Sequence, residues 1–211
     1  MRTRIKFCGM TSAADVALAV DAGADAVGVI VAASSPRRAD PELLLVLATA
    51  VPPYVSRIAV VTSPSEREAA TLRALGFTLQ FSGEELPAEC ARLAAGHAYV
   101  KAFHLRDDTA YDAADFEELA AYENALWMFD SRVGEKLGGT GIPFVWDLVA
   151  PVARRRPVVV SGGLRPENVG ACVRAVRPYA VDARSGIETE GRKDPAKMRA
   201  FVRAVREADE A

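Results

Sequence analysis

The chain has little cysteine, little histidine and no excess of charge of either sign. Its 211 residues hold three cysteines and two histidines. Cys8, Cys90 and Cys172 are odd in number and stand in no metal-ligand spacing, which argues against a disulfide framework or a zinc site. His97 and His104 lie far from any plausible Cys or His co-ligand, so no metal is expected. Lysine and arginine total 26 against 28 acids, a formal charge of −2. That balance points away from nucleic acid or an anionic membrane surface as partner. No apolar run approaches the roughly 18 to 20 residues of a membrane span. The opening MRTRIKFCGM has a charged start without the apolar stretch and cleavage site of a signal peptide, so it reads as a strand. A reducing cytosol, hence a cytoplasmic location, is the expectation.

What is present is an alternation of short apolar runs and amphipathic segments. Candidate strands are Ile5–Met10, Ala26–Val31, Ser56–Thr62, Thr78–Ser82, Tyr99–His104, Ala125–Asp130, Pro157–Ser161 and Ala180–Ala183. Runs such as AVGVIV and PVVV read as strands covered on both faces, as in parallel sheets. Helix starts follow. Ser12 with Asp15 resembles a capping box. Proline stands where a helix can begin in Asp40-Pro41, Ser63-Pro64, Leu86-Pro87, Arg165-Pro166 and Asp194-Pro195. Met198, Phe201, Val202 and Val205 form a helical stripe. Gly23 and Gly76 mark helix ends. Two domains of about 100 residues would fit the length. No Pro/Gly/Ser linker divides the chain, however, and eight strand-then-helix units in order favour one (β/α)8 TIM barrel spanning residues 1–211 over an open doubly wound sheet.

In such a barrel the chemistry belongs at the C-terminal ends of the strands. Cys8 ends the first strand; it is either a small apolar core residue or a thiolate base, and the latter needs a positive neighbour. Asp130 ends the sixth, as a loop cap or a general acid. Ser131–Pro143, with Gly138, Gly139 and Gly141, is too long for an ordinary connection and suits a lid or a backbone close to ligand. Gly162-Gly163 and Ser185-Gly186 follow strands seven and eight, where barrels bind phosphate on backbone N–H groups. Arg37 and Arg38 follow strand two; Arg37 suits a carboxylate or phosphate, while Arg38 reads as surface charge.

Together these segments resemble the phosphoribosylanthranilate isomerase family over nearly the whole chain. KFCGMT resembles the family's K-x-C-G-x-T. AGADAVGVIVAASSPR is similar to its second-strand segment. FDSRVGEKLGGTG resembles its strand-six aspartate and G-G-[ST]-G lid. VVVSGGLRPENV and RPYAVDARSGIE resemble its two phosphate loops. The resemblance implies a barrel without cofactor that performs an Amadori rearrangement of a small phosphorylated sugar-amine, as monomer or homodimer. It implies Cys8 as the base at ribose C2 and Asp130 as the acid on the ring oxygen. Arg37 would lie near the anthranilate end, Asp182 would face the substrate, and Gly139, Gly162, Gly163, Ser185 and Gly186 would hold phosphate.

Four mouth positions depart from the family pattern. Q-L-H-G is Gln80-Phe81-Ser82-Gly83 here, so Ser82 replaces a pocket histidine. G-K-x-F-D-W is Gly141-Ile142-Pro143-Phe144-Val145-Trp146. D-V-S-S-G is Asp182-Ala183-Arg184-Ser185-Gly186. Val61-Thr62-Ser63 stands where an asparagine is usual. Arg184 could offset the lost lysine, meet a differently placed anion or act on Cys8. The alternatives are a relative acting on another phosphoribosylated amine, and a silent barrel that binds a phosphometabolite. An indole-glycerol-phosphate-synthase-like lyase would need a catalytic lysine, for which only Lys101 on strand five compares.

Overall fold

The β-branched and aliphatic runs form eight parallel strands that close into a barrel in sequence order, as seen in a computed structural model. The structure describes residues 2–33, 35–105, 116–131 and 144–211. The strands are β1 (Arg4–Cys8), β2 (Ala26–Ile30), β3 (Ser56–Val61), β4 (Thr78–Phe81), β5 (Tyr99–Leu105), β6 (Ala125–Ser131), β7 (Val158–Ser161) and β8 (Ala180–Ala183). Closure comes from β1 pairing with β8, Lys6 beside Asp182. Each differs from its expected span by no more than two residues at either end.

Successive strand side chains point to opposite faces, and here that alternation sorts the core into two compartments. Val100, Ala102, Met128, Val159 and Ala180 form a cluster of their own. The intervening residues, Phe7, Phe81, Trp127, Phe129, Val158 and Val160 among them, belong to the main core packed against the helices. Phe7 meets Phe201 edge-to-face at 5.6 Å. Burial of such a ring is worth about 1.5–3 kcal/mol.

The helices begin largely where proline and acidic caps place them. They are α1 (Ala13–Ala22), α2 (Pro41–Ala50), α3 (Glu66–Ala74), α4 (Pro87–Ala94), α5 (Phe144–Ala153), α6 (Pro166–Val176) and α7 (Pro195–Asp209). Ser12 caps α1, accepting from Asp15 N, but the Asp15 carboxylate reaches back to Thr11 N. Ser63-Pro64 does not begin α3. Ser63 has φ +43°, and Ser65 is the cap, locked reciprocally with Glu68. Gly23 closes α1 at φ +100°, a conformation that costs glycine no Cβ clash. On α7 the buried stripe is Met198, Phe201, Val205 and Ala208, with Val202 only partly covered. Thr3 donates to Asp209 from both N–H and hydroxyl, at 2.8 and 2.6 Å, tying the first strand to the last helix. Among the described residues no helix is long and apolar enough to cross a membrane.

Candidate active site

The same alternation that fills the barrel delivers polar side chains to its upper end. A cleft of about 510 Å³ opens where the C-terminal ends of the strands converge. Cys8, Ser82, Asp130, Asp182, Arg184 and the turns Gly162-Gly163 and Ser185 all line it. Residues 122 positions apart in sequence, Cys8 and Asp130, therefore face one cavity.

On the β1 side, Cys8 is buried. Lys6 precedes it by two residues, on the same strand face, and its Nζ lies 2.8 Å from Asp182 Oδ1. Asp182 Oδ2 accepts from the Ser161 hydroxyl at 3.1 Å. Burial works against the Lys6 ammonium, but Asp182 and Cys8 overcome it and hold its pKa above the ordinary value. Burial pushes the Cys8 thiol up; Lys6 and then Lys193 pull it back only in part. The positive neighbour of Cys8 is thus Lys6, two residues before it on the strand. A Cβ at Gly28 would stand 2.8 Å from Cys8 Sγ and 3.2 Å from Lys6 Nζ. Glycine there is what lets both groups share the space.

On the β6 side, Asp130 is about one-third exposed to the cleft. His104 of β5 is its direct ladder partner. His104 Nε2 sits 2.9 Å from the Ser82 carbonyl oxygen, and Nδ1 sits 3.5 Å from Asp130 Oδ2. Gln80 donates to the Ser82 hydroxyl at 3.1 Å.

The β7 and β8 turns abut. Gly162 and Gly163 hold φ of +93° and +61°. Asn168, on the first turn of α6, accepts from Arg165 N at 2.8 Å and donates to Gly163 O at 3.0 Å, pinning the turn to the helix. Gly186 does not line the cleft. Its role is contact: a Cβ there would fall 2.0 Å from Leu164 O.

At the rim, Arg37 is not in the cleft lining. Its guanidinium is held bidentately by Glu188, at 2.5 and 2.9 Å, and reaches Gly191 O at 3.2 Å. Lys193 donates to Glu188 at 2.6 Å and to Cys8 O at 2.6 Å. Burial lowers the Lys193 pKa, with Glu188 opposing. Burial raises and the Arg37 and Lys193 cations lower the Glu188 pKa, the cations prevailing. Arg184 is exposed over Gly9.

Lys6, Glu188, Lys193 and His104 were not singled out from sequence as site residues. Only Lys6 carried a readable signal, its two-residue offset from Cys8 on a strand. Gly139, Ile142 and the rest of 132–143 lie outside the described residues, and nothing is described of the Val145 side chain. Lys101 does not face the cleft. It is buried outside the barrel, 2.9 Å from Glu85 Oε2 and 2.5 Å from Gly83 O, which removes the lyase reading's lysine.

The chain was compared with known proteins. A family model for N-(5'phosphoribosyl)anthranilate (PRA) isomerase matches residues 5–204. The N-(5'-phosphoribosyl)anthranilate isomerase of Leptothrix cholodnii is 43% identical over 211 residues, 99% of this chain and 93% of that protein. The enzyme of that name from Moorella thermoacetica is 41% identical, covering 98% and 91%. Phosphoribosyl anthranilate isomerase from Thermotoga maritima superposes with a TM-score of 0.83 at 30% identity, covering 97% and 99%. A phosphoribosyl anthranilate isomerase in complex with reduced 1-(o-carboxyphenylamino)-1-deoxyribulose 5-phosphate has a TM-score of 0.82 at 30% identity, with the same coverage.

Proposed function

The chain belongs to the phosphoribosylanthranilate isomerase family, and on that premise we propose how its cleft carries out the isomerisation. The activity is the rearrangement of N-(5'-phosphoribosyl)anthranilate to the 1-deoxyribulose 5-phosphate product. The observation that carries the assignment of roles is that Cys8 and Asp130 enter one cleft from opposite sides of the barrel, beside the paired β7 and β8 turns.

The phosphate sits on the backbone N–H groups of the Gly162-Gly163 and Ser185 turns, with Gly186 allowing the two turns to touch. Asp130 donates a proton to the ribose ring oxygen. The bond from C1 to that oxygen breaks, and the anilinic nitrogen lone pair makes a C=N iminium. The iminium acidifies the C2–H, and the Cys8 thiolate takes that proton. The resulting enolamine regains a proton at C1 from the Cys8 thiol and loses its hydroxyl proton to water, giving the ketone. C1 is reduced as C2 is oxidised, so electrons balance within the substrate. Lys6 favours the thiolate, and Asp182 and Ser161 hold Lys6 in place. Arg37, fixed by Glu188, holds positive charge at the rim for the anthranilate carboxylate. Arg184 adds positive charge at that rim.

The balance of charges and the reducing cytosol expected from the cysteines support a cytoplasmic enzyme. A related structure is of generated monomers of the dimeric isomerase from Thermotoga maritima, which supports monomer or homodimer as the assembly of this chain. Purified protein mixed with fresh phosphoribosylanthranilate extinguishes its fluorescence on this account, and Asp130→Asn leaves the signal standing. Retained turnover in Asp130→Asn would remove the acid assignment.

A further inference from the structure

Ser82 stands where the family pattern described above has a histidine, yet an imidazole occupies the neighbouring space. It comes from the next strand. His104 on β5 reaches the backbone of β4 and faces the proposed acid on β6. A carbonyl oxygen only accepts, so Nε2, 2.9 Å from Ser82 O, carries the ring N–H. Nδ1 then presents to Asp130 Oδ2, 3.5 Å away, and those two atoms bring only lone pairs to each other unless one proton lies between them. We propose that His104 is the positioning residue of the acid: it orients Asp130 and shares with it the proton that opens the ribose ring.

The proposal rests on the reading of Asp130 as general acid. In the loaded pair the proton lies on the Nδ1–Oδ2 line. Substrate binding shortens that line, as catalytic hydrogen bonds often lengthen in the empty enzyme. Asp130 passes the proton to the ring oxygen, leaving a carboxylate and a neutral imidazole. Water, which receives the C2 hydroxyl proton at the end of the reaction, reloads the pair. The other charged or ionisable side chains of the described residues that line the cleft are Cys8 on β1, Asp182 on β8 and Arg184 just after β8, and β7 stands between β8 and β6.

The test compares His104→Gln, Asp130→Asn and the relocated pair Ser82→His with His104→Gly. Glutamine keeps an N–H for the Ser82 carbonyl and lacks the Nδ1 base. Its kcat is expected to fall about ten- to a hundredfold, part of the usual contribution of an acid, while KM changes less than about twofold. His104→Gly alone loses at least as much, and adding Ser82→His restores most of it by returning an imidazole from β4. A folded His104→Gln at full kcat, or a relocated histidine that restores nothing, overturns the proposal. A change confined to KM also overturns it, in favour of substrate contact. Should the glutamine variant fail to fold, the relocated pair decides alone. Full rate in Asp130→Asn would remove the acid assignment itself; a dead Asp130→Asn beside an unaffected His104→Gln would remove His104 only.

Discussion

Lys6 Nζ lies 2.8 Å from Asp182 Oδ1 on one side and lies beside the Cys8 thiol on the other, so one buried ammonium serves a carboxylate and the proposed base together. Removing it separates the two duties. Lys6→Gln leaves the buried Asp182 carboxylate unpaired, which costs about 3–5 kcal/mol of stability. It also takes away the cation that partly offsets burial at Cys8. Denaturant titration checks the first effect, and an unchanged midpoint would contradict it.

The pH profile follows from the same site. Burial holds the Cys8 pKa above its ordinary 9.0, with Lys6 and Lys193 opposing. The thiolate is then a minority species near neutrality. The base limb of kcat/KM rises with pH, close to tenfold per unit, until that raised pKa is reached. In Lys6→Gln the limb moves to still higher pH. A limb that levels off below pH 8.5, or that ignores Lys6, contradicts Cys8 as its source.

The two phosphate turns make different demands on glycine. At Gly186 an added Cβ would stand 2.0 Å from Leu164 O, so the β7 and β8 turns must part. Gly186→Ala is expected to cost about 1–3 kcal/mol and to raise KM well beyond its effect on kcat. At Gly163 nothing lies within 4 Å, and the only difficulty is a φ of +61°. Gly163→Ala should cost about 1 kcal/mol and affect KM less. Equal effects on KM would show that the abutment of the turns is not what shapes the site.

Much of this was legible in sequence, and the reasons are local. Continuous β-branched and aliphatic runs set the strands, and proline at a helix's first turn set most helix starts. Ser63-Pro64 misled because Ser65, with Glu68 three residues on, is the better cap. The even-numbered strand ends Cys8, Ser82, Asp130 and Asp182 converge as the barrel requires. The Arg37–Glu188–Lys193 network was not legible, since Arg37 and Glu188 are 151 residues apart and meet only through closure. His104 was hidden for another reason: its partner on β4 is a backbone carbonyl, which no residue identity announces.

Outside the barrel, Glu85 ties three neighbouring strands together. It accepts from Ser63 N at 2.8 Å after β3, Gly83 N at 3.0 Å after β4 and Lys101 at 2.9 Å on β5. Burial raises its pKa, but Lys101 and the Ser63 N–H outweigh that, and the pKa lies below the ordinary 4.5. A depressed folded pKa stabilises above pH 4.5 and loses that contribution as pH falls through the folded value. Glu85→Gln should therefore destabilise by about 3–5 kcal/mol near pH 7, and the gap from wild type should narrow below pH 4.5. A gap independent of pH would show that Glu85 is not held as a carboxylate by Lys101.

The measurement that bears most directly on the account is turnover against binding in Cys8→Ala. Loss of phosphoribosylanthranilate fluorescence reports turnover, and calorimetry with reduced 1-(o-carboxyphenylamino)-1-deoxyribulose 5-phosphate reports binding. The account predicts that Cys8→Ala loses at least about a hundredfold in kcat and binds the analogue as wild type does. A Cys8→Ala protein that still turns substrate over at the wild-type rate would contradict the assignment of Cys8 as the base.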